Sequence, residues 1–207
     1  MAMARVRAAL DVPMKPGRPR STSHADLESV AFELFAERGF DQVSVDDITA
    51  AAGIGRRTFF RYYASKNDVV WGEFTRELDR MRDWFAGAST ELPLMEAVRQ
   101  AVVEFNRVPE QHVARHRERM SLILGVPTLL AHSTLRFVQW RDVIAEFSAR
   151  RMGCSPADLI PVAIGQCALG SALAAYEIWL RDEGSDLLAL LDRAVFELST
   201  GFAGSAP

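Results

Sequence analysis

Apolar residues recur three and four positions apart through most of this chain, which is the period of a helix face and not of a strand. Leu27, Val30, Ala31, Leu34 and Phe35 form one such face, preceded by Ser23 with Asp26 three residues on and followed by Gly39. A serine and a carboxylate at that spacing cap each other's backbone N–H groups, and glycine is the cheapest residue for the left-handed turn that ends a helix. The same grammar predicts a second helix from Ser44, with Asp47 three residues on and Val45 and Ile48 inward. Gly53 makes a turn, and a third helix is predicted over 56–63 with Gly55 at its cap. Ser65 and Asp68 open a fourth, whose stripe of Val69, Val70, Phe74, Leu78, Met81 and Phe85 carries it to 86. Further helices are predicted over 93–105, 110–124, 127–152, 155–181 and 185–202, with Pro156 at a first helical position. No segment shows sustained strand alternation, so the expected fold is all-α.

The pattern divides the chain into an N-terminal arm over 1–20, a three-helix DNA-binding domain over 21–66 and a helical bundle over 67–207. Two short helices around a glycine turn, the second of them basic, match a helix-turn-helix, whose second helix enters the major groove. Phe59 and Tyr63 can hold that helix inward, leaving Arg56, Arg57, Thr58, Arg61 and Tyr62 for the outer faces. An arginine fork on guanine contributes about 1–3 kcal/mol of base discrimination. Lys66 is placed to reach the phosphate backbone beside the helix, and Arg18 and Arg20, spaced by Pro19, can lie in an adjacent minor groove. The blander readings are a hairpin whose arginines only solvate a surface and a tail that only raises local charge. The ordered set of caps, turn and cations favours DNA.

Charge supports the division. Residues 1–66 hold ten Lys/Arg and eight Asp/Glu, whereas the remainder holds fourteen and nineteen, inside a net charge of -3 over 207 residues. A phosphate backbone should therefore meet the N-terminal third. Cys154 and Cys167 fit no metal spacing and suit free thiols in a reducing cytosol, so a cytoplasmic location is expected. The uncharged run 159–176 is rich in Ala, Gly and Ser and holds Pro161 and Gln166, which points to a helix buried among others and away from any membrane. No apolar leader is evident at the N-terminus. An enzyme is the main competing class. Yet His24, His112, His116 and His132 sit in no nucleophile motif, and neither a phosphate loop nor a dinucleotide fingerprint is present. No cofactor or metal is expected.

The strings GF at 39–40, SVDDI at 44–48, AG at 52–53 and TFFRYYASK at 58–66 resemble the TetR family of bacterial repressors. The resemblance adds Ser44, Gly55 and Phe60 to the DNA-facing set. It departs from the family pattern at Gly55, where serine is usual, and at Phe60, where tyrosine is usual, so a side-chain cap and a phosphate-contacting hydroxyl are lost. Within the family, GRPR at 17–20, GRRTFFR at 55–61, SKNDVVW at 65–71 and AHSTLR at 131–136 are similar to regulators of mycofactocin gene clusters in actinobacteria.

The resemblance implies that the last two predicted helices pair with those of a second copy. Ala168, Ser171, Ala172 and Ala175 are small enough for close approach, and Leu173, Leu187, Leu188, Leu191 and Val195 are apolar, although ordinary internal packing needs the same residues. A homodimer suits a pseudo-palindromic DNA operator, and repression is the family's default. Phe105, Leu122, Leu124, Phe137, Trp140, Phe147, Tyr176 and Trp179 are candidates to line a small-molecule cavity, unless they are plain core. His112, Arg115, His116 and Arg119 cluster in an otherwise acidic half, where a solvated face is the simpler reading and a phosphate clamp over an apolar tunnel the sharper one. Such a site would suit a long-chain acyl-coenzyme A (acyl-CoA). A helical ligand-binding protein or enzyme without a DNA role is the alternative.

Overall fold

The computed structural model describes residues 23–201, so Arg18 and Arg20 of the basic arm lie outside the described residues. Those residues form α-helices joined by turns and short loops, with no strand among them. The N-terminal unit is α1 (His24–Arg38), α2 (Val45–Ala51), α3 (Arg56–Tyr62) and α4 (Lys66–Trp71). The rest is α5 (Phe74–Gly87), α6 (Leu94–Phe105), α7 (Val113–Gly125), α8 (Pro127–Met152), α9 (Leu159–Arg181) and α10 (Leu187–Ser199).

Helices as short as α2 and α3 do not persist alone in water, so tertiary contact must hold them. Leu27, Phe32, Ile48, Phe59, Val69 and Val70 bury their side chains completely or almost so in one shared core. Each such burial contributes about 1.5–3 kcal/mol. The caps fix where the helices begin. At α2 the Ser44 hydroxyl donates to Asp47 at 2.5 Å and accepts the Asp47 N–H at 3.1 Å. Hydrogen bonds from Ser44 and then from Arg38 hold the Asp47 carboxyl far below the usual carboxylate range. Ser23 and Asp26 make the same reciprocal pair at α1.

In the larger unit α9 packs along α8 and α10, and α10 closes against α6. Gly165 sets the α8–α9 seam, since a Cβ there would lie 2.7 Å from the Arg141 carbonyl oxygen. Ala168, Ala172 and Ala175 continue the buried face of α9, while Leu187, Leu191 and Val195 are buried on α10. These residues, expected at a dimer interface, are spent inside the protomer because the small side chains that permit close approach serve α8 first. The apolar side chains left exposed on the last two helices are Leu159, Ile160, Val162, Ile178 and Phe196. By length and hydropathy α9 alone among the described helices could by itself cross a membrane; here it packs against α8 and α10, with about a third of its apolar stretch buried.

The helix expected over 66–86 is two helices. Gly72 adopts φ 54° and ψ -132°, ending α4, and α5 starts at Phe74. The apolar period runs through the break, which is why the pattern hides it. Two other starts differ. The 110–112 stretch is a 3-10 turn ahead of α7, and the segment from Ser155 is a turn that delays α9 to Leu159.

Gly53 (φ +65°) and Gly72 (φ +54°) both hold a positive φ, which costs other residues about 1–2 kcal/mol in the left-handed helical region and more at Gly72, whose ψ of -132° lies outside that region. A methyl at Gly53 meets nothing within 4 Å, whereas at Gly72 it meets Arg119 Nη1 at 2.9 Å and Glu28 Oε2 at 3.0 Å. Gly53→Ala should therefore lower the melting temperature by a few degrees, and Gly72→Ala by at least twice as much. Equal losses in thermal melts would show that the neighbours of Gly72 yield without cost.

Candidate functional site

The turn between α2 and α3 is closed by the Ala52 N–H to Ile48 (2.9 Å) and the Ile54 N–H to Thr49 (3.0 Å), with Gly53 reversing the chain. Phe59 anchors α3 in the core, and Tyr63 donates from its hydroxyl to the His24 carbonyl at 3.1 Å. The opposite face of α3 is left to solvent. Arg57 is exposed and takes no part in the hydrogen bonds or ion pairs of the described residues. Arg56 pairs with Asp46 at 2.7 Å and sits over Phe60, which is 45% exposed. Arg61 covers the Tyr62 ring, and Thr58 is half-buried. The Arg56–Asp46 pair is solvent-exposed, so it holds Arg56 by only about 0–1 kcal/mol. Ser44 is committed to its cap, and Gly55 starts α3 in extended backbone without a side-chain cap.

Lys66 does not point to a neighbouring phosphate. Its ammonium donates to the carbonyls of Phe40 at 2.7 Å and Val43 at 2.8 Å and lies over the Phe40 ring. The Phe40 carbonyl also accepts the Val43 N–H at 3.3 Å, and the lysine donates to it and to the Val43 carbonyl. Burial lowers its pKa.

Behind this unit lies a cavity of about 860 Å³. Trp71, Phe74, Phe105, Phe137 and Trp140 supply its aromatic wall, and Arg80, Arg107, His112 and Arg115 are among its more exposed lining. Its polar wall is a closed chain. His116 Nε2 lies 2.7 Å from the Tyr176 hydroxyl, which donates to Asn106 Oδ1 at 2.6 Å, and Asn106 Nδ2 donates to the Val102 carbonyl at 2.7 Å. Because the tyrosine proton goes to Asn106, His116 Nε2 is the donor to the tyrosine oxygen. Burial, reinforced by the charge of Arg119, pushes His116 down to about 4, and burial also raises the Tyr176 hydroxyl.

Of the residues expected around a ligand, Leu122, Leu124 and Phe147 are not in its wall, while Phe105, His112, Arg115, His116, Arg119, Phe137, Trp140 and Tyr176 line it. Trp179 does not. It packs behind His116 and Tyr176, under Arg117, whose guanidinium also bonds its carbonyl. Arg115 and Arg119 do share a face, both lying over Phe32, but they are not a free pair of cations. Arg115 pairs with Glu118 at 3.1 Å. Arg119 bonds the Glu28 carboxylate and the Val70 carbonyl (2.7 Å), tying α7 to α1 and to the end of α4.

A second tie joins α4 to α8. Asp68 accepts from Ser65 (2.6 Å), Arg136 (2.7 Å) and His132 (3.3 Å). Burial pushes its carboxyl up, yet these donors together hold it below its ordinary range. Sequence reasoning missed Glu28, Trp71, Asn106 and Asp68 as parts of the site. Only Trp71 and Asp68 fell inside a string already singled out. No cluster of three or more metal-ligating side chains occurs among the described residues.

A surface arginine helix on a glycine turn, joined to a helical bundle, defines a helix-turn-helix transcriptional regulator. The chain belongs to the TetR family: the family's N-terminal regulatory pattern matches residues 28–70 and the MftR C-terminal domain matches residues 92–203. It is 45% identical over 185 residues to a Mycobacterium tuberculosis protein described as the mycofactocin biosynthesis transcriptional regulator MftR, covering 89% of this chain and 93% of that one. The fold is shared with the fatty acid degradation regulator FadR of Bacillus halodurans (TM-score 0.63, 20% identity, 86% of this chain and 99% of that chain). It is shared too with Thermus thermophilus FadR, solved in complex with lauroyl-CoA (TM-score 0.56, 22% identity, 86% and 94%).

Two outcomes follow from this geometry. Arg57→Ala should leave the melting temperature within a degree or two and relax base preference by about 1–3 kcal/mol at one position. Lys66→Met should instead lower the melting temperature, because the Val43 carbonyl loses its donor at about 1–3 kcal/mol, while the Phe40 carbonyl keeps the Val43 N–H. Melting curves beside operator and random-DNA titrations at fixed salt separate the two, and a Lys66 variant of unchanged stability would return that lysine to the DNA face. The second concerns pH. The unfolded chain protonates His116 near 6.5 and the folded chain only near 4, so stability falls as pH drops through that window. The loss reaches about 3 kcal/mol once both states are protonated. His116→Gln should flatten the slope in thermal melts between pH 7 and pH 4.

Proposed function

We propose that this regulator is a repressor released from its operator by an apolar effector that occupies the cavity behind α4. The observation that carries the reading is where the cavity lies. Its volume falls in the range of about 300–1,000 Å³ typical of small-molecule sites, and its wall includes Trp71 and Glu73, which flank the Gly72 break. A ligand releases DNA only by favouring a state that binds DNA poorly. One that enters here touches the Glu28–Arg119 tie and the α4–α5 break at once. The His116, Tyr176 and Asn106 side chains of the wall are bonded to one another, which fits binding better than proton transfer, so a DNA-independent enzyme is the weaker reading.

Long-chain acyl-CoA is the effector class proposed. The aromatic wall suits an acyl chain, and a protein of the same fold was solved with lauroyl-CoA. The phosphates would meet Arg80, Arg107 and Arg115, whose pairings with Glu77, Glu104 and Glu118 lie on the surface and cost little to exchange. Arg119 is withdrawn from that role. The working form is a cytoplasmic homodimer joined on α9 and α10 through the exposed face that includes Ile178 and Phe196, reading two half-sites about 34 Å apart.

Titrating lauroyl-CoA into the operator complex should release DNA, while free coenzyme A should not. Glu28→Gln keeps a hydrogen-bond acceptor for Arg119 but removes the charge, weakening the tie by about 1 kcal/mol and lowering the half-release concentration about fivefold. A mobility-shift series reads both. Unchanged operator affinity at saturating lauroyl-CoA would remove this effector class, and an unchanged midpoint in Glu28→Gln would remove the tie from the release mechanism.

A further inference from the structure

Every buried side-chain nitrogen and oxygen among the described residues has a hydrogen-bond partner except one, the indole Nε1 of Trp71. Native proteins rarely leave such a donor sealed without an acceptor, and doing so costs free energy. No acceptor among the described residues reaches it. The Trp71 ring is 8% exposed, stands edge-on to Phe74 (4.9 Å) and Phe137 (5.9 Å), and forms part of the cavity wall. It is also the last residue of α4, one position before the Gly72 break.

We propose that Trp71 Nε1–H is the donor that reads an oxygen acceptor on the effector, so that its hydrogen bond forms only in the ligand-bound state. This rests on the cavity being the effector site. The nitrogen is sealed in the present state, so the bond requires the ring to turn within the wall, at the last residue of α4. The acceptor class is a neutral carbonyl or hydroxyl oxygen on an apolar body. A carboxylate would find no free cation beside the indole, since Arg136, over the ring at 5.7 Å, is bonded to Asp68, and Arg119 to Glu28. An ester, thioester or ketone oxygen meets the indole without that need. Recognition and transmission then share one atom, because the residue that senses the oxygen terminates the helix that follows the DNA-reading one.

The test uses two probes of similar length, methyl laurate with a carbonyl and chlorododecane without one, on the full chain. The Trp71 indole N–H resonance, assigned by its loss in Trp71→Phe, should shift with methyl laurate and stay near its free position with chlorododecane. Trp71→Phe should weaken methyl laurate about five- to tenfold in calorimetry, the equivalent of one hydrogen bond, and leave chlorododecane within about twofold. Its melting temperature should not fall by more than a few degrees, since the lost N–H had no partner to strand. If Trp71→Phe does not fold, the resonance is assigned by elimination from Trp84→Phe, Trp140→Phe and Trp179→Phe, and the unmutated chain carries the test. An indole signal that both probes move alike, or equal loss of both in Trp71→Phe, makes Trp71 mere wall and overturns the proposal. Failure of both probes to bind the unmutated chain overturns the cavity reading together with it.

Discussion

Arg119 holds the two units of this protein in register. Its guanidinium leaves α7, crosses the ring of Phe32, and bonds the Glu28 carboxylate and the Val70 carbonyl. Both charged side chains are about four-fifths covered, so each has lost much of its water. In such a setting attraction and desolvation nearly cancel, and the pair adds little net stability. What it does set is geometry. Removing one partner strands the other at a cost of about 3–5 kcal/mol, so the arrangement is kept or exchanged as a whole. Gly72 belongs to the same constraint, because only a residue without a Cβ leaves the guanidinium and the carboxylate their places. The break between α4 and α5 and the tie across it are therefore one feature seen from two sides.

Local chemistry was legible in the chain, and long-range chemistry was not. Ser23, Ser44 and Ser65 cap helices as their spacing requires, since a cap involves residues three apart. Of the apolar residues proposed for the cavity, Phe105, Phe137, Trp140 and Tyr176 line it while Leu122, Leu124, Phe147 and Trp179 do not, because a helical stripe does not say which space between helices its side chains enter. Lys66 and Arg119 were misread for a common reason. A cation in a sequence looks free until its acceptor is located, and the partner of Arg119 lies 91 residues away. The small residues of α9 were ambiguous in another sense. A stripe of Gly and Ala permits close approach to any helix, and only Gly165 against the Arg141 carbonyl reveals that the neighbour is α8 of the same protomer. The break at Gly72 was hidden because Val70 and Phe74 keep the apolar period on either side of it.

The energetic scale of the ties bears on how such a regulator can be switched. Moving a two-state population from one extreme to the other takes about 5.5 kcal/mol of differential binding. One hydrogen bond to an effector supplies a fraction of that, and burial of an acyl chain supplies nothing differential unless the cavity differs between states. The α4 helix is held at two points, by Arg119 at its end and by Arg136 and His132 through Asp68 at its start. An effector that loosened one point alone would leave the other to restore the helix. The cavity wall includes Arg119 and Glu28 from the first tie, and Trp71 and Phe137 lie between it and the second, Arg136 covering the Trp71 ring. Under the proposed reading, a ligand in that volume would bear on both ends of α4 through side chains already in contact. That is the condition under which several sub-threshold interactions sum to a change the recognition helix can register.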